Sequence, residues 1–453
     1  MSLLILLLTG PLTTFAATIT VASLAELQKA IDKAVAGDVI LLKSGVYVST
    51  EDIIVKRAGT KEKPITIAAQ TIGETEISGT GGIGIKSPGA YIIVRGFKFS
   101  NSAGKNDLAG GTAFCQWTRN IFECPGEGNY LTINGADHQV DYNTFQNKNS
   151  MGKFIGVRGT GKQIAERLWI HHNYFYNFSP QTGNGAEAVQ FGLSGFSLSS
   201  SNSIFEHNLF EKCDGEAELL SVKSSAVTVR YNTVRDCKAH ITLRHGNFNK
   251  VYGNYFSNTP GLRIFGDDHL IYSNYFENCN PAINIGNGGA EVADGAPLTS
   301  HDRPDRVLIA FNTLVNNKKN IVLNPRKPVE LGATHITIIN NVIQGGEEAA
   351  LINGPFLNPK WEGNIIYQTK GAGNMPEGSY KTFDPKMVRN ATGTFHLSAA
   401  SAGLNATGVY PLITVDMDGQ ARKQPLQVGA DQIAKDPVIA RILTPELVGY
   451  KAK

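Results

Sequence analysis

The stretch from Asn208 to Phe276 reads NLFEKCDGEAELLSVKSSAVTVRYNTVRDCKAHITLRHGNFNKVYGNYFSNTPGLRIFGDDHLIYSNYF, and it repeats itself. Asn208, Asn232, Asn254 and Asn274 recur in one local context, 24, 22 and 20 residues apart, between short β-branched and aromatic runs. A period in the low twenties without helical spacing predicts stacked coils of parallel β-strands. Outward from this stretch, DYNTF, HHNYF, AFNTL, INNVI and EGNII place Asn143, Asn173, Asn312, Asn341 and Asn364 in the same context. Longer intervals, such as Asn274 to Asn312, predict coils that carry loops, and such loops commonly build one binding face. The repeated asparagine reads as structural. At a tight bend it can take left-handed dihedrals while its amide bonds open backbone groups, so that successive side chains form a ladder.

Towards the N-terminus, Ser23-Leu24-Ala25-Glu26 is a capping box, followed by Leu24, Leu27, Ile31 and Val35 at helical spacing until Gly37. One helix therefore precedes the strands and suits an end cap, because an open solenoid end exposes unpaired edges. Short strands are expected over 38–48, 53–55, 65–68, 77–79 and 91–99. After Gln368 the pattern weakens, and the tail, with Asp416-Met417-Asp418-Gly419, reads as irregular packing along the solenoid. No linker or composition shift marks a second domain. The expected fold is all-β, a single parallel β-helix solenoid over 18–453 with an N-terminal capping helix.

Composition bounds the function. With 453 residues, 48 of them glycine, and 42% hydrophobic content, disordered and fibrous classes are excluded. The net charge of +3 is compatible with an anionic substrate but is too small to argue for one. Met1–Ala17, MSLLILLLTGPLTTFAA, resembles a secretory signal ending near Ala16 or Ala17, though it lacks a basic start, and it is too short to span a membrane. A secreted or periplasmic location is expected, with no membrane partner. Basic residues form no aromatic-interleaved patch, so no nucleic-acid partner is expected. Of five cysteines, Cys115 and Cys124 are close enough to suggest a loop disulfide, whereas Cys213 and Cys237 read as small apolar residues stacked in the core.

The central stretch also carries chemistry. On a strand, Glu216 and Glu218 would share a face, and two such charges repel unless a cation lies between them. A hard cation such as Ca²⁺ takes oxygen ligands, and Asn184, about one coil earlier, can add a neutral one. The structural alternative is a solvated acidic strand. Lys223 follows Glu216 by seven residues and Arg244 follows Lys223 by 21, near one coil period, so the two cations fall on adjacent rungs. Alone, each is an ordinary surface cation. Beside Arg244 and a metal, the charged form of Lys223 is disfavoured, which makes it a usable base for a carbon-bound proton. His245 reads either as a second proton-transfer or substrate-binding group or as a hydrogen-bonded turn histidine.

Asn208-Leu209-Phe210-Glu211, Asp214-Gly215-Glu216-Ala217-Glu218, Lys223-Ser224, Leu243-Arg244-His245-Gly246 and Leu262-Arg263-Ile264-Phe265-Gly266 together closely resemble polysaccharide lyase family 6. That family contains alginate lyases and the dermatan sulfate lyase chondroitinase B. GTKEKPITI and YIIVRGFKFSN extend the resemblance into the opening coils. The resemblance implies a right-handed parallel β-helix performing β-elimination on uronic-acid residues. It implies Lys223 as the base taking the C5 proton and Arg244 as the acid or stabiliser at the leaving oxygen. Glu216 and Glu218 match the family's calcium ligands, with Asn184 as the matching asparagine, and Arg263 and His245 fall where substrate contacts are expected.

Two other readings compete. A pectin-type hydrolase needs paired carboxylic acids, which Asp267 and Asp268 superficially supply, but the accompanying Asn-Thr-Asp, Gly-His-Gly and Arg-Ile-Lys motifs are missing. A non-catalytic carbohydrate-binding solenoid explains the repeats but needs neither Lys223 and Arg244 nor the two glutamates in register. Between substrates, alginate is favoured over dermatan sulfate, because sulfate calls for extra cations and the loops after Gly286 offer only Arg303, Arg306 and Arg326.

Overall fold

The computed structural model describes residues 16–401 and 404–453. The signal-like segment thus lies almost wholly outside the described residues. Three parallel sheets of 14, 14 and 12 strands run the length of the chain, and each coil gives one strand to each sheet in turn. Around Asn208 these are Ile204–Glu206, Leu209–Cys213 and Glu218–Lys223. One coil later come Thr228–Arg230, Thr233–Arg235 and His240–His245, each paired in parallel with its predecessor. The fold is a right-handed parallel β-helix. Since neighbouring strands lie about 4.8 Å apart, equivalent residues of successive coils stack. Phe122, Phe145, Phe175 and Phe210 form such a column inside the core, with ring centroids 4.6, 5.2 and 4.6 Å apart.

The asparagine ladder occupies the corner between the first and second sheets. Asn208, fully buried, accepts the backbone N–H and the amide of Asn173 at 2.9 and 3.0 Å. It donates in turn to Asn232 at 3.1 Å and to the carbonyls of Ile170 and Glu206. Asn120 joins the row one coil earlier than the sequence repeat suggested. The left-handed residue is not the asparagine, however. It is the residue before it: Tyr142, His172, His207 and Tyr231 have φ of 52, 54, 52 and 55°. The amide must turn inward to make the ladder, so its predecessor takes the bend and points outward. A left-handed conformation costs a non-glycine residue about 1–2 kcal/mol, which the satisfied amide offsets.

The helix spans Leu24–Lys33 and buries Leu27 and Ile31, but it does not precede all the strands, because Thr18–Val21 lies before it and pairs with Val39–Leu42. Ser23 Oγ accepts the Glu26 N–H and Glu26 Oε2 accepts the Ala22 N–H, a reciprocal cap. The expected strand over 91–99 is two, Ile92–Arg95 and Phe97–Asn101, with Gly96 at φ 81° turning the corner between them. All five cysteines are free and buried. Cys115 precedes a first-sheet strand and Cys124 follows a second-sheet strand, so they stand at different corners and form no disulfide. Cys213 and Cys237 stack as expected, with the Cys213 N–H 3.4 Å from Cys237 Sγ.

The tail runs back as a strap over the outside of the ladder corner. Thr407 meets Asn340, Ala430 donates to Thr313, Arg422 to Ser273, Leu443 to Thr233, and Arg119 to the Ala452 carbonyl. Ile413 and Leu426 seat it on Tyr231, Tyr252, Tyr272 and Phe311.

Candidate active site

The third sheet positions the chemistry. Its central strands are Val189–Phe191, Glu218–Lys223, His240–His245, Leu262–Ile264 and Ile283–Ile285, neighbours in that order. Ser221 pairs with Thr242 and Thr242 with Arg263. The register then slips, so that Val222 pairs with Leu243 but Lys223 pairs with His245. Arg244 is the extra residue of this bulge, and it reaches back along the strands to put Nε 3.4 Å from Glu218 Oε1. Lys223 and Arg244 do lie on neighbouring strands, but not side by side. Gly246 completes the turn at φ 88°, where a Cβ would lie 2.4 Å from the Ser224 backbone.

Glu216 and Glu218 come together by a different route from strand alternation. The strand begins only at Glu218, and Glu216 sits in the preceding bend. Its Oε2 accepts the N–H groups of Gly185 and Ala186 at 2.6 and 3.2 Å. Burial, and then the charge of Glu187, push the Glu216 carboxyl above its usual range. Glu218 accepts the Ser221 hydroxyl at 2.6 Å and has Arg263 Nη1 at 3.8 Å. Asn184 is exposed on the bend next to Gly185. The third carboxylate of the group is Glu187, and ligand atoms of Glu187, Glu216 and Glu218 lie within 4.8 Å of one another.

Glu187 has no exposed surface and is gripped by two lysines, Lys223 Nζ at 3.1 Å from Oε1 and Lys153 Nζ at 3.2 Å from Oε2. Burial raises its pKa, but the two lysines outweigh burial and hold the carboxyl below its usual range. His245 is also buried, its Nε2 3.2 Å from Ser194 Oγ, and burial followed by Arg244 and Lys223 lowers it to about 3. It is a neutral imidazole beneath the two cations.

A cleft of about 300 Å³ opens beside this cluster, lined among others by His240, Arg263, Phe265, His301 and Arg326. Arg263 lies 4.9 Å over the Phe265 ring, and His301 packs on the same ring at 4.9 Å. Arg326 Nη2 donates to His301 Nδ1 at 2.9 Å, so the His301 proton is on Nε2. His301 arrives on the loop between Ile285 and Leu308, which Gly288 and Gly332 fasten in place. A larger cleft of about 530 Å³ lies between the cap helix and Thr50–Ile53 but holds none of these groups.

Among the described residues, buried side-chain polar atoms without a hydrogen-bond partner concentrate at this site. They include Gln190 Oε1, His240 Nδ1, Thr242 Oγ1, Arg244 Nη1 and His245 Nδ1. Native interiors rarely leave such groups open, so water or a ligand would complete them. The ligand atoms that Glu187, Glu216 and Glu218 offer are all carboxylate oxygens, which suits a hard divalent cation rather than a thiolate- or imidazole-bound metal.

Glu187, Lys153, His301 and Arg326 were not singled out as site residues from the sequence. Only the GAEA run containing Glu187, three residues after Asn184, offered a signal. Asp267 and Asp268 do not form a free acid pair, because Arg306 engages them at 3.4 and 2.9 Å.

The family model of chondroitinase B matches residues 21–329, more than half of the chain. No curated protein matches the sequence. Among solved structures, a mutant of the family 6 alginate lyase AlyGC superposes with a TM-score of 0.79 at 23% identity, covering 96% of this chain and 58% of that one. The chain therefore spans little more than half the length of that enzyme. A family 6 polysaccharide lyase from Pseudopedobacter saltans gives a TM-score of 0.70 at 22% identity, covering 96% and 99%. A mannuronic acid specific family 6 lyase from human gut microbiota gives 0.67 at 23%, covering 81% and 91%. At these identities the structures establish the shared β-helix, and the family model establishes the kinship: this chain belongs to polysaccharide lyase family 6, the family of chondroitinase B.

Proposed function

We propose that the chain cleaves alginate by β-elimination at a uronic-acid residue bound across the third sheet. The observation that carries the reading is the run of contacts beside the cleft that joins Lys223 to Glu187, Glu187 to Glu216 and Glu218, and Glu218 to Arg244. In its neutral amine form Lys223 Nζ takes the C5 proton, the C5–H electron pair becomes the C4=C5 double bond, and the C4–O bond breaks. Glu187, already 3.1 Å away, stabilises the ammonium that forms. Arg244 stabilises the departing glycosidic oxygen, which takes the C4–O electron pair and then a proton from water. Glu216, Glu218 and Asn184 would hold Ca²⁺, whose charge neutralises the uronate carboxylate and makes the C5 proton acidic. Arg263, Arg326 and the His301 Nε2–H face the neighbouring sugar.

Alginate rather than dermatan sulfate is supported by the fate of the extra arginines. Of the three, Arg303 is paired with Glu291 and Arg306 with three aspartates, which leaves Arg326 alone for sulfate. The alginate lyases among the similar structures point the same way. Secretion through the 1–17 segment belongs to the same proposal, since the substrate is an extracellular polymer.

The test follows unsaturated-uronate absorbance with alginate and with dermatan sulfate, each with calcium and with chelator. Absorbance rising with alginate and falling with chelator is expected. A rise with dermatan sulfate alone would overturn the substrate, and silence on both would overturn the lyase reading.

A further inference from the structure

Across the core from the candidate active site, the ladder corner carries an outward column of rings. Tyr142, His172 and His207, on successive coils, stack with centroids 4.9 and 5.0 Å apart, and Tyr231 continues the column at 5.2 Å. Between this column and the strap lies a cleft of about 280 Å³, to which the strap contributes Arg441 and Leu443, together with Lys453. That volume is at the low end for ligand pockets and suits a group about the size of one sugar. Because the rings stack on one another, they offer the cleft their edges.

Hydrogen bonding sets those edges. The Gln139 amide nitrogen donates to His171 Nε2 at 3.0 Å, so His171 carries its proton on Nδ1 and donates to His172 Nδ1 at 2.9 Å. His172 is therefore protonated on Nε2, the ring nitrogen left for the cleft. Burial lowers His171 to about 3 and His172 to about 4, and it lowers His207 as well, so the column stays neutral and its donor is fixed. The carboxylate behind the column, Glu206, is taken up by Arg230 at 2.5 Å and Trp169 at 2.7 Å. Arg441 and Lys453 are exposed, and among the described residues neither is in an ion pair. The cleft thus combines two cations outside any ion pair with a directed N–H donor.

We propose that this cleft is a second binding site, for an oxyanion. Arg441 and Lys453 supply charge, and His172 Nε2–H supplies direction. A uronate carboxylate of a polysaccharide and free phosphate share this chemistry. Since its walls come from the solenoid and from the strap, an occupant would bridge the two.

The experiment titrates the full chain with glucuronate and, separately, with inorganic phosphate while following histidine ring-proton resonances by NMR, with His172 assigned through His172→Phe. A saturable shift of the His172 signal is expected, weakened about tenfold or more in Arg441→Ala, where a charge-assisted contact is lost, and unchanged in Arg263→Ala, which alters only the opposite face. Tighter binding of glucuronate assigns the site to the polysaccharide, and tighter binding of phosphate assigns it to the free ion. A shift that saturates with neither, or that persists in Arg441→Ala, overturns the site. Catalysis plays no part in the readout, so the outcome is separate from the fate of the lyase reading.

Discussion

The ladder corner and the third-sheet face are built from the same coils, yet they treat polar groups in opposite ways. At the corner, each buried amide of the central ladder is satisfied: Asn232 accepts from Asn208 and donates to Asn254, Phe205 and Arg230. On the face, Arg244, Gln190, Thr242 and His245 each keep a buried atom without a partner. A buried polar group without a partner costs about 1–3 kcal/mol, so the corner contributes stability and the face spends some of it on readiness to bind. The difference separates scaffold from site more sharply than burial does, for both regions are buried.

The strongest way to break the comparison is to remove the base. Lys223→Ala should lower product formation by about a thousandfold, the usual scale for a general base, with an unchanged circular dichroism spectrum; near-normal rates would remove Lys223 from the mechanism. The opposite pattern is expected at the corner. Asn232→Ala leaves the Asn208 N–H and two carbonyls open and should cost about 3 kcal/mol in urea unfolding, while the folded fraction turns over at the normal rate. A drop in turnover per folded molecule would mean that the corner is not merely scaffold.

The strap sharpens the same contrast through pH. His396 Nε2 lies 3.0 Å from Asp418 Oδ2. Burial alone would lower the His396 pKa, but Asp418 and then Asp431 outweigh it and raise it to about 9. A pKa above the unfolded value of about 6.5 means that the stabilisation is complete below that pH and is lost as pH rises through 9. Unfolding free energy should fall by about 3 kcal/mol over this window. In His396→Gln that alkaline decline should flatten, and a decline that persists would place its origin elsewhere. Asp416, pushed up to about 7 mainly by burial, acts in the same direction at lower pH. The smallest effect belongs to His301. His301→Ala should raise KM several-fold, the effect of about 1 kcal/mol of binding, with kcat little changed; a large fall in kcat would move His301 into the chemistry itself.

Legibility followed how local each signal was. The asparagine repeat was visible because every ladder position lies between two short strands, so the period appears directly in the chain. Lys223 and Arg244 were visible because their separation matched that period. The left-handed residue was misassigned by one position because the chain alone does not show which way an amide turns. Glu187 stayed hidden as an ordinary loop glutamate. Its role rests on losing all exposed surface between Lys153 and Lys223, which come from different coils.

The sequence by itself determined the coil period, the β-helix, the capping helix and the residue types of the candidate site, since all of these are written in short-range patterns of apolar and amide residues. Tertiary structure alone decided the bulge that swings Arg244 onto Glu218, the burial of Glu187 between two lysines, the loop that delivers His301, and the strap that closes the His172 cleft. Each of these depends on which coils stack beside which, and on how far water is excluded between them, and neither quantity exists until the chain has wound.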